Sequence, residues 1–70
     1  FAHREQSDLF VSVMSLPEKY RTVLYLFYYE DLSVKEISEV LKLKESAVTT
    51  RLSRARNQLK LKLKEVWKDE

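Results

Sequence analysis

The side chains best suited to chemistry stand close together: Thr49, Thr50, Arg51, Ser53, Arg54, Arg56 and Asn57, with Lys44 before them and Lys60 after. They are hydroxyls, an amide and cations with no acid among them, which suits the donors and acceptors of base edges and the charge of phosphates. Four apolar residues are threaded through the same stretch. Val48, Leu52, Ala55 and Leu59 recur at four- and three-residue steps, which puts them on one face of a helix. At about 100° per residue the opposite surface carries Thr49, Thr50, Ser53, Arg54 and Asn57, with Arg51 and Arg56 on the flanks. A helix with a buried seam and this outer face fits the recognition helix of a helix-turn-helix.

Composition narrows the function classes further. The chain has no cysteine and no glycine, and its one histidine is His3. Disulfides, a zinc finger, a metal site, a nucleophilic thiol and a glycine-rich phosphate loop are therefore not expected, nor is a cofactor, a small-molecule substrate or enzyme activity. Glu36 and Glu39 are simply solvated helix charges. Net charge is only +2, yet residues 42–64 carry eight cations against Glu45 alone, while residues 1–34 carry three cations against five acids. A polyanion is the expected partner of the second half. No apolar run approaches the roughly 18 residues of a membrane span, so no membrane partner and a cytoplasmic location are expected. The chain opens Phe1-Ala2-His3 without an initiating methionine. It is expected to be a piece of a longer protein, with residues 1–70 forming a single domain.

The elements that must hold the outer face in place follow from periodicity and cap signals. Leu9, Val11, Val13 and Met14 fit a short first helix from about Glu5 to Ser15, although the alternation at 9, 11 and 13 also fits an extended segment. Leu16-Pro17-Glu18 marks a second start, with proline pre-set for the first turn and Glu18 at the positive end of the helix dipole. From Pro17 to about Tyr29 the second helix is apolar nearly all round, at Tyr20, Val23, Leu24, Leu26, Phe27 and Tyr28, as expected of a buried centre. Its aromatic cluster reads as core rather than as a stacking platform for bases. After a loop at Glu30-Asp31-Leu32, Ser33 and Glu36 have the spacing of a capping box.

The third helix then has Val34, Ile37, Val40 and Leu41 as its buried face and Lys35, Glu36 and Glu39 in water. Ser38 is either a small residue at a close helix crossing or an ordinary surface serine. Lys42-Leu43-Lys44 is long enough only for a turn, with Leu43 able to plug the angle between helices. The last helix runs from Glu45 through Val66, including Lys60 to Lys64, because no glycine, proline or turn residue interrupts it. Leu63 and Val66 continue the seam of Leu59, and Leu61 points the other way. Trp67 is either a cap on the core or a contact for a partner. The fold class is thus all-α, a small domain of about four helices with a helix-turn-helix at about residues 33–60.

Three blocks of residues carry a family likeness: Leu16-Pro17-Glu18-Lys19-Tyr20-Arg21, Leu32-Ser33-Val34-Lys35-Glu36-Ile37-Ser38, and Val48-Thr49-Thr50-Arg51-Leu52-Ser53-Arg54-Ala55-Arg56. Together they closely resemble region four of bacterial RNA polymerase sigma factors of the extracytoplasmic-function group, over about Leu16 to Leu63. The most specific part is the run Arg51 to Arg56, which separates this group from primary sigma factors and from response-regulator effector domains. The resemblance implies a domain that binds double-stranded promoter DNA at the minus thirty-five element, docks on the β flap of the RNA polymerase core, and is covered by an anti-sigma factor. It implies base and phosphate contacts at Thr49, Thr50, Ser53 and Arg54, with nearby cations tracking the backbone. Three positions depart from the family pattern. Lys42 stands where many relatives have a turn glycine, Lys44 replaces the usual serine cap, and Thr49 replaces a residue that is often basic. A helical protein-interaction module, with a basic tail bound to an acidic partner and no base readout, is the alternative that the composition also allows.

Overall fold

The computed structural model describes residues 9–67, with side chains through Lys64. Residues 9–14 form helix α1, Glu18–Leu24 form α2, Val34–Leu41 form α3 and Glu45–Trp67 form α4. No strand occurs among the described residues, and α4 packs against both α2 and α3. The residues before Leu9 and the side chains of Val66 and Trp67 lie outside what is described. So do the expected start of α1 near Glu5 and the two readings of Trp67.

Helix, not an extended segment, is the state of residues 9–14. Val13 is buried there, as is Leu16 just beyond, while Val11 faces solvent. Pro17 is the N-cap of α2 rather than its first helical residue, because its ψ of 150° is extended while its carbonyl accepts from the amides of Tyr20 and Arg21. Glu18 then occupies the first turn. Val23 and Leu24 are completely buried, and with Val13, Leu16, Ile37, Val48, Leu52 and Ala55 they make the core.

The second helix departs from expectation at its end. Tyr25–Tyr29 widens into a π-helical turn, closed by the Glu30 amide bonding to the Tyr25 carbonyl at 3.2 Å. Phe27 stays half-buried against the core, but Tyr28 is 54% exposed, and Tyr25 and Tyr29 also reach the surface. Only the first part of this segment is therefore a buried centre. The tyrosines compensate each other: Tyr25 stacks on Tyr29 at 5.4 Å, and Phe10 meets Tyr29 edge-on at 6.0 Å.

The capping box of α3 is formed at both ends. The Ser33 amide donates to Glu36 Oε1 at 2.8 Å, and the Glu36 amide donates to Ser33 Oγ at 3.1 Å. Two orphan amides of the helix start are thereby satisfied. The buried face is Val34, Ile37, Ser38 and Leu41, whose spacing of three and four residues traces a single stripe. Val40 lies off that stripe and is 59% exposed, so the expectation that it is buried is corrected. Ser38 takes the inner position, 8% exposed, with its hydroxyl donating to the Lys35 carbonyl at 2.6 Å.

Lys42 adopts the left-handed conformation, φ 58° and ψ 46°, without a glycine to ease it. Its amide and that of Leu43 both bond to the Ser38 carbonyl, the Leu43 bond at 2.9 Å. This closes the helix end in the manner of a Schellman motif, and Leu43 packs half-buried on the core. The chain then turns directly into α4, whose first bonds come from the Ala47 and Val48 amides to the Lys44 carbonyl. Leu61 is 60% exposed, as its opposite phase requires, and residues 60–64 are helical throughout.

Two stability measurements test this account. A chain of this size has a total stability of about 3.5–10 kcal/mol. Leu24→Ala is expected to remove about 2–5 kcal/mol of it and Val40→Ala less than about 0.5 kcal/mol, compared through urea midpoints; equal losses would contradict the assigned stripe. Lys42→Gly is expected to raise stability by up to about 1 kcal/mol, since relief of the left-handed side-chain clash outweighs the extra backbone freedom that glycine gives the unfolded chain. A lower midpoint would show that the Lys42 side chain contributes more than its backbone costs.

Candidate nucleic-acid interface

The candidate site grows from α4 outward. Burial of Val48, Leu52 and Ala55 fixes which way the helix faces, and Thr49, Thr50, Ser53, Arg54, Asn57 and Lys60 are all exposed on the remaining surface. Lys44 is exposed at the start of the helix. It contributes a backbone carbonyl to the first turn, while its ammonium group cannot accept the orphan amides as a serine would. Glu45 sits in that first turn, where its charge favours the positive end of the helix dipole.

Within this surface, Thr50, Arg51 and Arg54 come together with Ser46, Ala47, Lys19 and Tyr20 around an open hollow of ≈ 380 Å³. Three cations and three hydroxyls from two helices thus share one concavity, with no acid lining it. Arg51 is half-buried and lines the hollow. Lys19 Nζ stands 5.2 Å from the centre of the Tyr20 ring, a cation over an aromatic face. Neither Lys19 nor Ser46 is among the residues that sequence reasoning singles out. Ser46 could have been found, since it lies four residues before Thr50 on the same helical face. Lys19 had no local signal, because α2 meets α4 only through tertiary packing.

Arg56 is not part of this group. It lies on the other flank, about 140° around the axis from Arg51 at 100° per residue. There its Nε donates to the Tyr28 hydroxyl at 2.8 Å.

The family model described as "Sigma-70, region 4" matches residues 11–59, from α1 to the middle of α4. The chain belongs to the sigma-70 region 4 family. Over 54 residues it is 41% identical to the ECF RNA polymerase sigma factor SigW of Bacillus subtilis, covering 77% of this chain and 29% of that protein. It is 34% identical over 61 residues to RNA polymerase sigma factor SigV of the same organism, 87% of this chain and 37% of that one. RNA polymerase sigma factor FliA of Pseudomonas aeruginosa is 42% identical over 60 residues, 86% of this chain and 24% of the relative. The region 4 domain thus spans well under half the length of each of these relatives. No solved structure matches it. Among the described residues, no helix is long and apolar enough to cross a membrane.

In this region 4 domain the outer face of α4 is presented by the fold without being needed for it. Thr50→Ala, Ser53→Ala and Arg54→Ala are each expected to shift stability by no more than about 0.5 kcal/mol in either direction. Urea midpoints of the three variants check this. A loss above about 1 kcal/mol would mean that the side chain is structural and that any effect on binding is indirect.

Proposed function

We propose that this domain recognises the minus thirty-five element of bacterial promoters, with α4 lying in the major groove of the duplex. On this reading it is the region 4 domain of an extracytoplasmic-function sigma factor and works in transcription initiation in the cytoplasm. The observation that carries the proposal is the opposition of two faces on one helix. Val48, Leu52 and Ala55 are buried, and Thr49, Thr50, Ser53, Arg54 and Asn57 stand exposed opposite them. An α-helix fits the major groove, where its exposed side chains meet base edges carrying a distinct donor and acceptor pattern for each pair. Thr49, Thr50, Ser53 and Asn57 supply short-range hydrogen bonds, and Arg54 supplies the two-pronged bond to guanine O6 and N7. Lys44, Arg51 and Lys60 face the phosphates on either side.

Docking on the β flap of the RNA polymerase core belongs to the same proposal. It is supported by a second surface, an apolar hollow of ≈ 330 Å³ lined by Leu9, Val13, Tyr28, Tyr29 and Leu59. Contiguous apolar surface of this kind marks protein contacts more often than nucleic-acid ones. An anti-sigma factor of the cell is the further protein partner that the family likeness supports. No catalytic role is assigned.

The decisive experiment compares reading with holding. In the full-length factor assembled with polymerase core, Arg54→Ala is expected to cost about 1–3 kcal/mol on a promoter duplex and to relax preference at one or two base pairs. Lys60→Ala is expected to weaken promoter and scrambled duplexes alike and to lower the salt slope by about 0.9. Affinities for both duplexes at several salt concentrations measure this. If Arg54→Ala lowers both affinities by one factor, Arg54 contacts only phosphate. If the wild-type protein itself does not distinguish the duplexes, the domain is a protein-interaction module instead.

A further inference from the structure

Arg56 belongs to the cationic run of α4, and sequence reasoning places it among the DNA-facing residues. Its surroundings differ from those of Arg54. At about 100° per residue it stands about 160° from Arg54 around the helix axis, and only about 40° from Leu52, which is buried. Its guanidinium is already engaged. Nε donates to the Tyr28 hydroxyl at 2.8 Å across 28 residues of chain, and Cζ lies 5.5 Å from the Phe27 ring centre and 5.8 Å from that of Tyr28. The two rings meet edge-on, 5.0 Å apart and inclined at 83°, so they form a corner around the cation. That corner is built by the π-helical turn, which sets Phe27 against the core and Tyr28 outward.

We infer that Arg56 is a positioning residue, which pins α4 to the aromatic turn after α2 and so fixes the roll of the DNA-reading face. The inference rests on the reading of α4 proposed above. Apolar contacts along the narrow seam from Val48 to Leu59 resist separation of the helices but are non-directional, whereas a hydrogen bond has a direction and a length. The difference matters at the groove. A roll of about 10° about an axis roughly 5–6 Å inside the helix surface moves that surface by about 1 Å. An N–H to oxygen bond tolerates only about 2.7–3.2 Å, so the same roll detaches Arg54 or Asn57 from a base edge. Arginine suits the task because its planar group can stack in the corner and donate from its edge at once, which the compact ammonium group of lysine cannot.

Positioning and phosphate binding predict different things of the same variants. Tyr28→Phe removes the hydrogen bond and no charge; Arg56→Met removes the charge and keeps a long apolar stem. In the full-length factor with polymerase core, each is expected to reduce the ratio of promoter to scrambled-duplex affinity by about threefold to tenfold, the weight of one exposed hydrogen bond. The salt slope is expected to stay at the wild-type value in both, and the double variant to be no worse than Arg56→Met. A phosphate contact would instead give Arg56→Met a slope lower by about 0.9 and leave Tyr28→Phe silent, which overturns the inference. Should the wild-type factor fail to distinguish the duplexes, the DNA reading falls on its own. The pin is then decided by residual dipolar couplings on the 70-residue chain: a changed roll of α4 about its own axis relative to α2 in Tyr28→Phe supports it, and an unchanged roll overturns it.

Discussion

A helix buried along one seam has no choice about what it shows to water. With Val48, Leu52 and Ala55 in the core beside Leu24 and Ile37, the residues half a turn away must be exposed, whatever their chemistry. That constraint places Thr50, Ser53, Arg54 and Asn57 outward. It also explains why so small a core suffices. Because α4 packs on both α2 and α3 around one core, the same contacts that hold the domain together orient its outer face. Removing one would therefore disturb stability and presentation together, whereas the exposed polar residues are free to vary without cost to the fold.

The turn before α4 shows how the constraint is met without glycine. Two residues in the described chain have positive φ, Asp31 at 62° and Lys42 at 58°. Aspartate tolerates the left-handed region through local hydrogen bonding; lysine does so at a cost of about 1–2 kcal/mol. The cost at Lys42 is offset by the two amides that bond to the Ser38 carbonyl and by Leu43, which the turn carries onto the core. A turn of this kind is short and stiff. Together with the capping box at Ser33 and Glu36, it defines both ends of α3 and hence the angle at which α4 departs.

What could be read in the sequence was what is local. The seam of α4, the capping box and the continuation of helix through Lys60 to Lys64 depend on spacing within one or two turns, and the structure bears them out. Val40 is misplaced by periodicity because a four-residue apolar pattern can be satisfied in two phases, and packing puts Ser38 rather than Val40 in the inner position. The π-helical turn was hidden because a run of aromatic residues reads the same in either helix. Lys19 and Arg56 mark the limit most clearly. One lines a hollow with Thr50 and Arg54, the other hydrogen-bonds to Tyr28, and both contacts join residues about thirty positions apart.

Those two residues also change the role of the segment from Glu18 to Tyr29. Its apolar composition suggests a passive centre, yet it touches both flanks of α4. Near its start, Lys19 and Tyr20 border the hollow with Arg51 and Arg54. At its end, Tyr28 holds Arg56 and also lines the apolar hollow with Tyr29 and Leu59. A segment that crosses beneath a helix from one flank to the other restrains its roll from both sides, as a single-sided contact cannot. The exposure of Tyr28 follows from the same requirement. Its ring must reach past the core to meet a guanidinium on the flank, and the widened turn turns it outward at the point where Arg56 arrives.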